Sequence, residues 1–310
     1  DKTAPTVTLS PNGGSYAKPT SGNATIKTTI TATDTGGSGL KTLQYAWSTS
    51  NTTEPTTWTT FTNGATVSKT DCTTGTYYIW TRVYDNAGNR ATTGKVSAGF
   101  VVGAKTITIT PNTTAWTNQN VTATITYPDV TTSSTRKAGY GTTLANAQTA
   151  SNSATAPTTS VTVSANGYVF ATATDSAGNV VTASKQITNI DKTAPTMTSA
   201  EIKNITTTGY DVYVYGVKDS GSGVNRVQFP TWTNANGQDD IQANWSTSDT
   251  AKGTKQADGT TWVYHVKTTD HKNEAGAYNT HIYAYDNLGN GKCISTHTIT
   301  CLLYTSPSPR

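Results

Sequence analysis

Two sets of aspartates could do chemistry together in this sequence: Asp1, Asp34 and Asp85, and Asp191, Asp219 and Asp286. Each set draws one residue from the same three contexts. The first opens the string D-K-T-A-P-T, at Asp1–Thr6 and Asp191–Thr196. The second opens a Gly/Ser-rich turn, at Asp34–Leu40 and Asp219–Val224. The third opens Asp-x-(Ala/Leu)-Gly-Asn, at Asp85–Asn89 and Asp286–Asn290, and once more at Asp175–Asn179. Three carboxylates brought to one place repel unless they are paired, capped or bound to metal. Oxygen donors of this kind, completed by backbone carbonyls, suit calcium. Calcium is the cofactor these six residues would take, and nothing else in the chain calls for one. The plainer reading has each Asp cap its own turn. The middle of the chain lacks the set: it begins Ala104-Lys105 and offers only Asp175 and Asp129.

A second group, Asp239, Asp240, His271, Glu274 and His281, has the residue types for general acid–base work on a glycan. Asp239 and Asp240 are adjacent, however, and neighbours on a strand point to opposite faces. No serine or cysteine nucleophile motif accompanies them. The expectation is turn-forming Asp and a hydrogen-bonded histidine, with no catalytic residue and no enzyme. Period-2 parity along Tyr278–Tyr285 puts Tyr278, Ile282 and Ala284 on one face and His281, Tyr283 and Tyr285 on the other. An exposed aromatic row on a rigid strand is a platform for sugar rings. The alternative is cross-strand pairing that only stabilises the sheet. The same count puts Tyr78, Trp80, Arg82 and Tyr84 outward in the first part of the chain, where sheet pairing is the preferred reading.

The elements that must position these residues are strands. The 310 residues are rich in Thr, Ser, Asn and Gly, with 13% charged and 34% hydrophobic. β-Branched Thr suits a pleated, half-buried surface, and no stretch sustains apolar residues at helical spacing. Ala24, Ile26, Ile30 and Ala32 alternate, as do Leu43, Tyr45 and Trp47, and Tyr77, Ile79 and Val83. In the middle, Ile107–Thr110, Val121–Tyr127, Ser160–Ser164 and Tyr168–Thr174 read as strands, and Thr131–Pro157 as loop with short edge strands. The repeated turns divide the chain into modules 1–103, 104–190 and 191–300. Each is near the roughly 100 residues of an immunoglobulin-like sandwich. In such a sandwich the linker, the second turn and the last hairpin meet at one pole, which would gather each aspartate set. The fold expected is all-β: three tandem immunoglobulin-like β-sandwiches in an elongated array. The net charge of +4 is spread without a Lys/Arg run, so nucleic acid is not an expected partner. No run approaches the roughly 18 apolar residues of a membrane span. The three cysteines, Cys72, Cys293 and Cys301, form no disulfide or zinc pattern.

D-K-T-A-P-T, D-T-G-G-S-G-L, Y-D-N-A-G-N and T-D-S-A-G-N make the first two modules resemble the immunoglobulin-like domains of bacterial tandem surface proteins. The third resembles the GBS Bsp-like repeat. The carriers are E-I-K-N-I, G-Y-D-V, P-T-W at Pro230–Trp232, N-G-Q-D-D-I at Asn236–Ile241, Trp245, H-K-N-E-A-G-A-Y at His271–Tyr278 and H-I-Y-A-Y-D at His281–Asp286. The D-S-G-S-G turn at Asp219 is slightly longer than that family's usual one. The resemblance implies a non-catalytic module at the cell surface or cell wall of a Gram-positive bacterium. It adds Trp232 and Trp245 to His281, Tyr283 and Tyr285 as glycan-binding candidates. The expected role is a stalk carrying an adhesion module, with cell-wall or host glycan, or a host surface protein, as partner. Two alternatives stand beside it: the accessory region of a peptidoglycan hydrolase whose catalytic domain lies outside these residues, and a purely structural spacer, with or without calcium stiffening. The last ten residues, C-L-L-Y-T-S-P-S-P-R, resemble a translated sequencing adapter and are expected to lie outside the fold.

Overall fold

In a computed structural model the described residues run from Asp1 to Cys301, with side chains described as far as Thr298. Cys301 closes the last strand; the rest of the C-terminal string lies outside the described residues. The sheets come in three pairs. The first pair is built from β1 (Thr6–Ser10), β2 (Gly14–Lys18), β3 (Ala24–Thr33), β4 (Leu40–Ser48), β5 (Thr59–Thr60), β6 (Thr66–Cys72), β7 (Gly75–Asp85) and β8 (Phe100–Ala104). Its sheets run β1-β3-β6 and β2-β8-β7-β4-β5. The second uses β9 (Thr108–Pro111), β10 (Val121–Thr126), β11 (Lys137–Gly141), helix α1 (Leu144–Ser153), β12 (Ser160–Val163), β13 (Gly167–Thr174) and β14 (Val180–Ile187). Its sheets are β9-β10-β12 and β11-β13-β14. The third uses β15 (Ser199–Lys203), β16 (Gly209–Tyr215), β17 (Val224–Gln228), β18 (Thr231–Thr233), β19 (Thr254–Lys255), β20 (Trp262–Lys267), β21 (Gly276–Asp286) and β22 (Gly291–Cys301). One sheet runs β15-β16-β20-β19; in the other, β21 pairs with β17 and β18 on one side and β22 on the other. The chain divides into two compact units, Asp1–Asn112 with Val121–Ile187, and Thr113–Asn120 with Thr188–Arg310.

The alternation read from sequence is the alternation of burial. Ala24, Ile26, Ile30 and Ala32 on β3 face the first core, opposite Ile79 and Val83 on β7, Phe100 and Val102. Fully burying each large aliphatic side chain contributes about 1.5–3 kcal/mol. In the third sandwich Val212 and Val214 of β16 meet Val227, Phe229, Tyr278 and Ile282. Cys72 and Cys293 are both free thiols.

Two expectations fail. Thr131–Pro157 contains a full strand, β11, and a ten-residue helix, α1. The helix escapes a search for apolar periodicity because it buries only Ala147 and Ser151. It lies on Gly139 and Gly141 of β11: a Cβ on Gly139 would meet Ser151 N and Ala150, and one on Gly141 would meet Ala147 N. Two glycines let helix backbone rest on strand backbone, so large apolar residues are not needed. The readable signal was the N-cap, where Thr143 accepts from Asn146 N at 3.2 Å. The second failure is Trp80. It does face away from the core that Ile79 and Val83 line, but it is 4% exposed. Its indole N–H donates to Ser50 O at 2.8 Å, and Lys95 Nζ lies 5.9 Å from its ring. Connecting segments cover a residue that parity alone leaves outside.

Candidate functional site

The Asp-x-(Ala/Leu)-Gly-Asn motif is one turn made three times. In each copy the Asn backbone N–H donates to the Asp Oδ1 and the Asn side-chain amide donates to Oδ2: Asn89 on Asp85, Asn179 on Asp175, Asn290 on Asp286. The glycine must take positive φ, +90° at Gly88, +96° at Gly178 and +85° at Gly289, which only glycine adopts without strain. In the second motif Asp34 Oδ2 accepts from Gly39 N, and Asp219 Oδ2 from Gly221 N and Gly223 N.

These turns bring both aspartate sets together. Ligand oxygens of Asp1, Asp34 and Asp85 lie within 4.8 Å of one another, as do those of Asp191, Asp219 and Asp286. Asp85, Asp191 and Asp286 are buried. The carboxylate that follows the linker packs straight onto a glycine, Asp1 on Gly36 and Asp191 on Gly221. Burial pushes the Asp191 carboxyl upward. The N–H groups of Ser222 and Thr193, with the Thr193 hydroxyl, outweigh that and hold its pKa at about 2. Asp191 therefore stays ionised at neutral pH, and the corner's donor set of carboxylate oxygens has the chemistry calcium requires. Asp129 joins no such set: it is exposed, 3.7 Å from Lys105 Nζ.

Asp175 shows what the same turn does without acidic neighbours. Its Oδ2 accepts from Ala17 N at 2.9 Å, a donor from the first sandwich. Asn179 is likewise bonded both ways to Thr25, receiving from its N–H and donating to its carbonyl. Thr20 and Thr182 complete this junction with hydrogen bonds in both directions.

Asp239 and Asp240 lie in a loop rather than on a strand, which removes the parity argument against them. Oxygens of Asp239, Asp240 and Glu274 come within 4.8 Å of one another. Each has a structural partner. Asp239 pairs with Lys272 at the surface. Asp240 accepts from Thr233 N and lies 3.1 Å from His271 Nδ1, with both side chains 1% exposed. Glu274 accepts from the Thr233 hydroxyl and from Asn236. The histidine is hydrogen-bonded and the aspartates serve the loop.

That loop forms one wall of a cleft of about 230 Å³ lined by Pro230, Trp232, Gln238, Ile241, Trp245, His281 and Tyr283. The other wall is sheet: Trp232 on β18, and His281 and Tyr283 on the outward face of β21. Trp232 meets His281 edge to face at 4.7 Å, and Trp245 lies on Tyr283 at 4.6 Å. Gln242 ties the loop down, accepting from Thr231 N and donating to Tyr264 Oη. Burial lowers the pKa of His281 and raises that of Tyr283, so both rings are neutral near pH 7. Four of the five aromatic candidates therefore meet in one cleft. Tyr285 does not line it: the Arg226 guanidinium sits 4.1 Å above its ring, held by Ser246 O. Gln238 and Ile241 are lining residues that parity on β21 could not find, because a loop delivers them.

Residues 199–299 match the GBS Bsp-like repeat family. No curated protein matches the chain in sequence. Among solved structures, the tetra-tandem repeat in the extending region of a large adhesion protein is 18% identical over 97% of this chain and 75% of its own, with a TM-score of 0.32. The chicken CNTN1 FN1–FN3 domains are 13% identical over 96% of this chain and 98% of theirs, at 0.28. BC0361, a polysaccharide deacetylase from Bacillus cereus, is 16% identical over 33% of this chain and at 0.26; the chain covers 29% of it.

Proposed function

We propose that the chain is a stalk of repeat modules, 1–103, 104–190 and 191–300, in a bacterial surface protein, and that the third module attaches it to glycan. The observation that carries the reading is the cleft: four aromatic rings converge on one opening, set on strands and on a loop anchored by buried bonds. A rigid aromatic wall offers a sugar ring contact area at little cost in ordering. The Bsp-like repeat match supports a surface location. The carboxylates that could act as acid and base serve as loop anchors, so the module binds and does not cut. The test is retention of the whole chain on purified peptidoglycan and a polysaccharide panel. Wild type is expected to be retained, and Trp245→Ala to lose about tenfold or more in affinity. Equal retention of the two proteins, or none of either, removes the binding role and leaves a spacer.

A second reading concerns the acidic corners, which we propose take calcium. The favouring observation is internal to the chain. Asp175 has a backbone N–H on its Oδ2, whereas Asp286 and Asp85 each have an oxygen within 4.8 Å of two other carboxylates. A cation in those two corners would offset the repulsion of the gathered carboxylates. Binding to the folded state alone stabilises it by mass action. The melting temperature of the chain is expected to rise in millimolar calcium over EDTA. The pair Asp34→Asn and Asp219→Asn, which keeps one turn-capping oxygen at each site, is expected to abolish the rise. Identical melting in calcium and EDTA would return both corners to turn capping.

A further inference from the structure

We propose that the cleft on the third sandwich takes a single uncharged pyranose residue, a neutral hexose or N-acetylhexosamine, and discriminates against sugars that carry a free ammonium or a carboxylate. This rests on the reading of the cleft as a glycan site. Size is the first argument: about 230 Å³ falls below the roughly 300–1,000 Å³ of sites that enclose larger ligands, so one ring fills it. Charge is the second. No Asp, Glu, Lys or Arg lines the cleft. The ionic groups around it are committed elsewhere: Asp239 to Lys272, Asp240 to His271, and Arg226 to Tyr285 and Ser246. An ammonium or carboxylate on the ligand would lose water against aromatic walls and find no counter-charge.

The third argument is the inventory of free polar valences. Among the described residues, the indole N–H groups of Trp232 and Trp245, the Gln238 amide and the His281 ring make no hydrogen bond to the protein, and none of them is a buried, orphaned atom. Two N–H donors, one amide that donates and accepts, and one neutral imidazole that does the same match the mixed donors and acceptors of sugar hydroxyls. An acetamido carbonyl would accept from an indole N–H, with its methyl against Pro230 or Ile241.

The experiment follows the indole N–H resonances of the whole chain by NMR, assigned with Trp232→Phe and Trp245→Phe. The probes are the methyl glycosides of glucose, N-acetylglucosamine, glucosamine and glucuronic acid. The same four compete for retention on the polysaccharide that binds. The two neutral glycosides are expected to shift both resonances and to compete, with the charged pair about tenfold weaker or worse. Gln238 is exposed and makes no side-chain bond, so Gln238→Glu should fold as wild type while reversing the order of glucosamine and glucose. Equal or stronger binding of either charged glycoside to wild type overturns the inference and leaves a glycan site of another kind. No shift from any glycoside, with retention insensitive to Trp245→Ala, overturns the glycan reading and this inference with it.

Discussion

Replacing His271 by alanine is expected to destabilise the third sandwich by about 3–5 kcal/mol, the cost of removing the hydrogen-bond partner of a buried carboxyl group. The pair is closed to solvent, with Asp240 Oδ2 at 3.1 Å from Nδ1 and both side chains 1% exposed. The ring also stands edge-on to Tyr278 at 5.6 Å, in the centre of the core that Ile282 and Val227 share. Alanine would leave Asp240 with only the Thr233 N–H and open a cavity beside Tyr278, and the two costs add. Asp240 is also what fastens the loop from Asn234 to Trp245 to the sheet. The loss should therefore reach the cleft, loosening Gln238, Ile241 and Trp245 against Trp232 and Tyr283. Thermal unfolding of the chain should show one transition moved sharply down while the unit holding the first two sandwiches melts as before. Tryptophan emission should shift to the red well below that transition, as Trp245 leaves Tyr283. Wild-type melting in the His271→Ala protein would mean that the pair anchors nothing.

Gly139→Ala should cost about 3 kcal/mol, more than a single methyl usually does, because the obstacle is backbone. The added Cβ would stand against Ser151 N and within 2.7 Å of Ala150 Cβ, both in α1. A flexible side chain could swing away; a helix must move as a body. It is held by the Thr143 cap and by Lys137 Nζ on Asn152 O, so the displacement breaks bonds at both ends. Gly103→Ala is the control. Its Cβ would have nothing within 4 Å, and its backbone φ is ordinary. Denaturant unfolding should separate the two variants clearly. Equal stability would show that α1 rides on β11 with room to spare.

Much of the candidate site was legible because it depends on local chemistry. An Asp, Gly and Asn at fixed spacing make one turn wherever they occur, and a sandwich pole collects such turns. The two acidic corners therefore follow from counting motifs. Parity on β21 is equally local and correctly places His281 and Tyr283 on one face. What was not legible depends on partners distant in sequence. Helix α1 buries so little that its signal lies in the glycines opposite it. A turn is legible at Asp239 and Asp240, but nothing in N-G-Q-D-D-I announces that Asp240 will face inward to His271, 31 residues on. Trp80 is covered by segments that parity does not see. Tyr285 faces the right way, but Arg226 takes its ring.

The junction at Asp175 bears on how such a chain is inherited. Duplication copies a stretch of sequence, and the copy folds where it lands only if its buried polar atoms come with their partners. Asp175 and Asn179 are satisfied by Ala17 and Thr25, from another repeat, so the second sandwich is not a complete word when moved alone. Transplanted without the first, it would lose the bonds that Ala17 and Thr25 make to Asp175 and Asn179 and open both side chains to water. The first two sandwiches share one compact unit. Their repeats are free to drift apart in sequence so long as Ala17, whose side chain takes no part, keeps its backbone N–H in place.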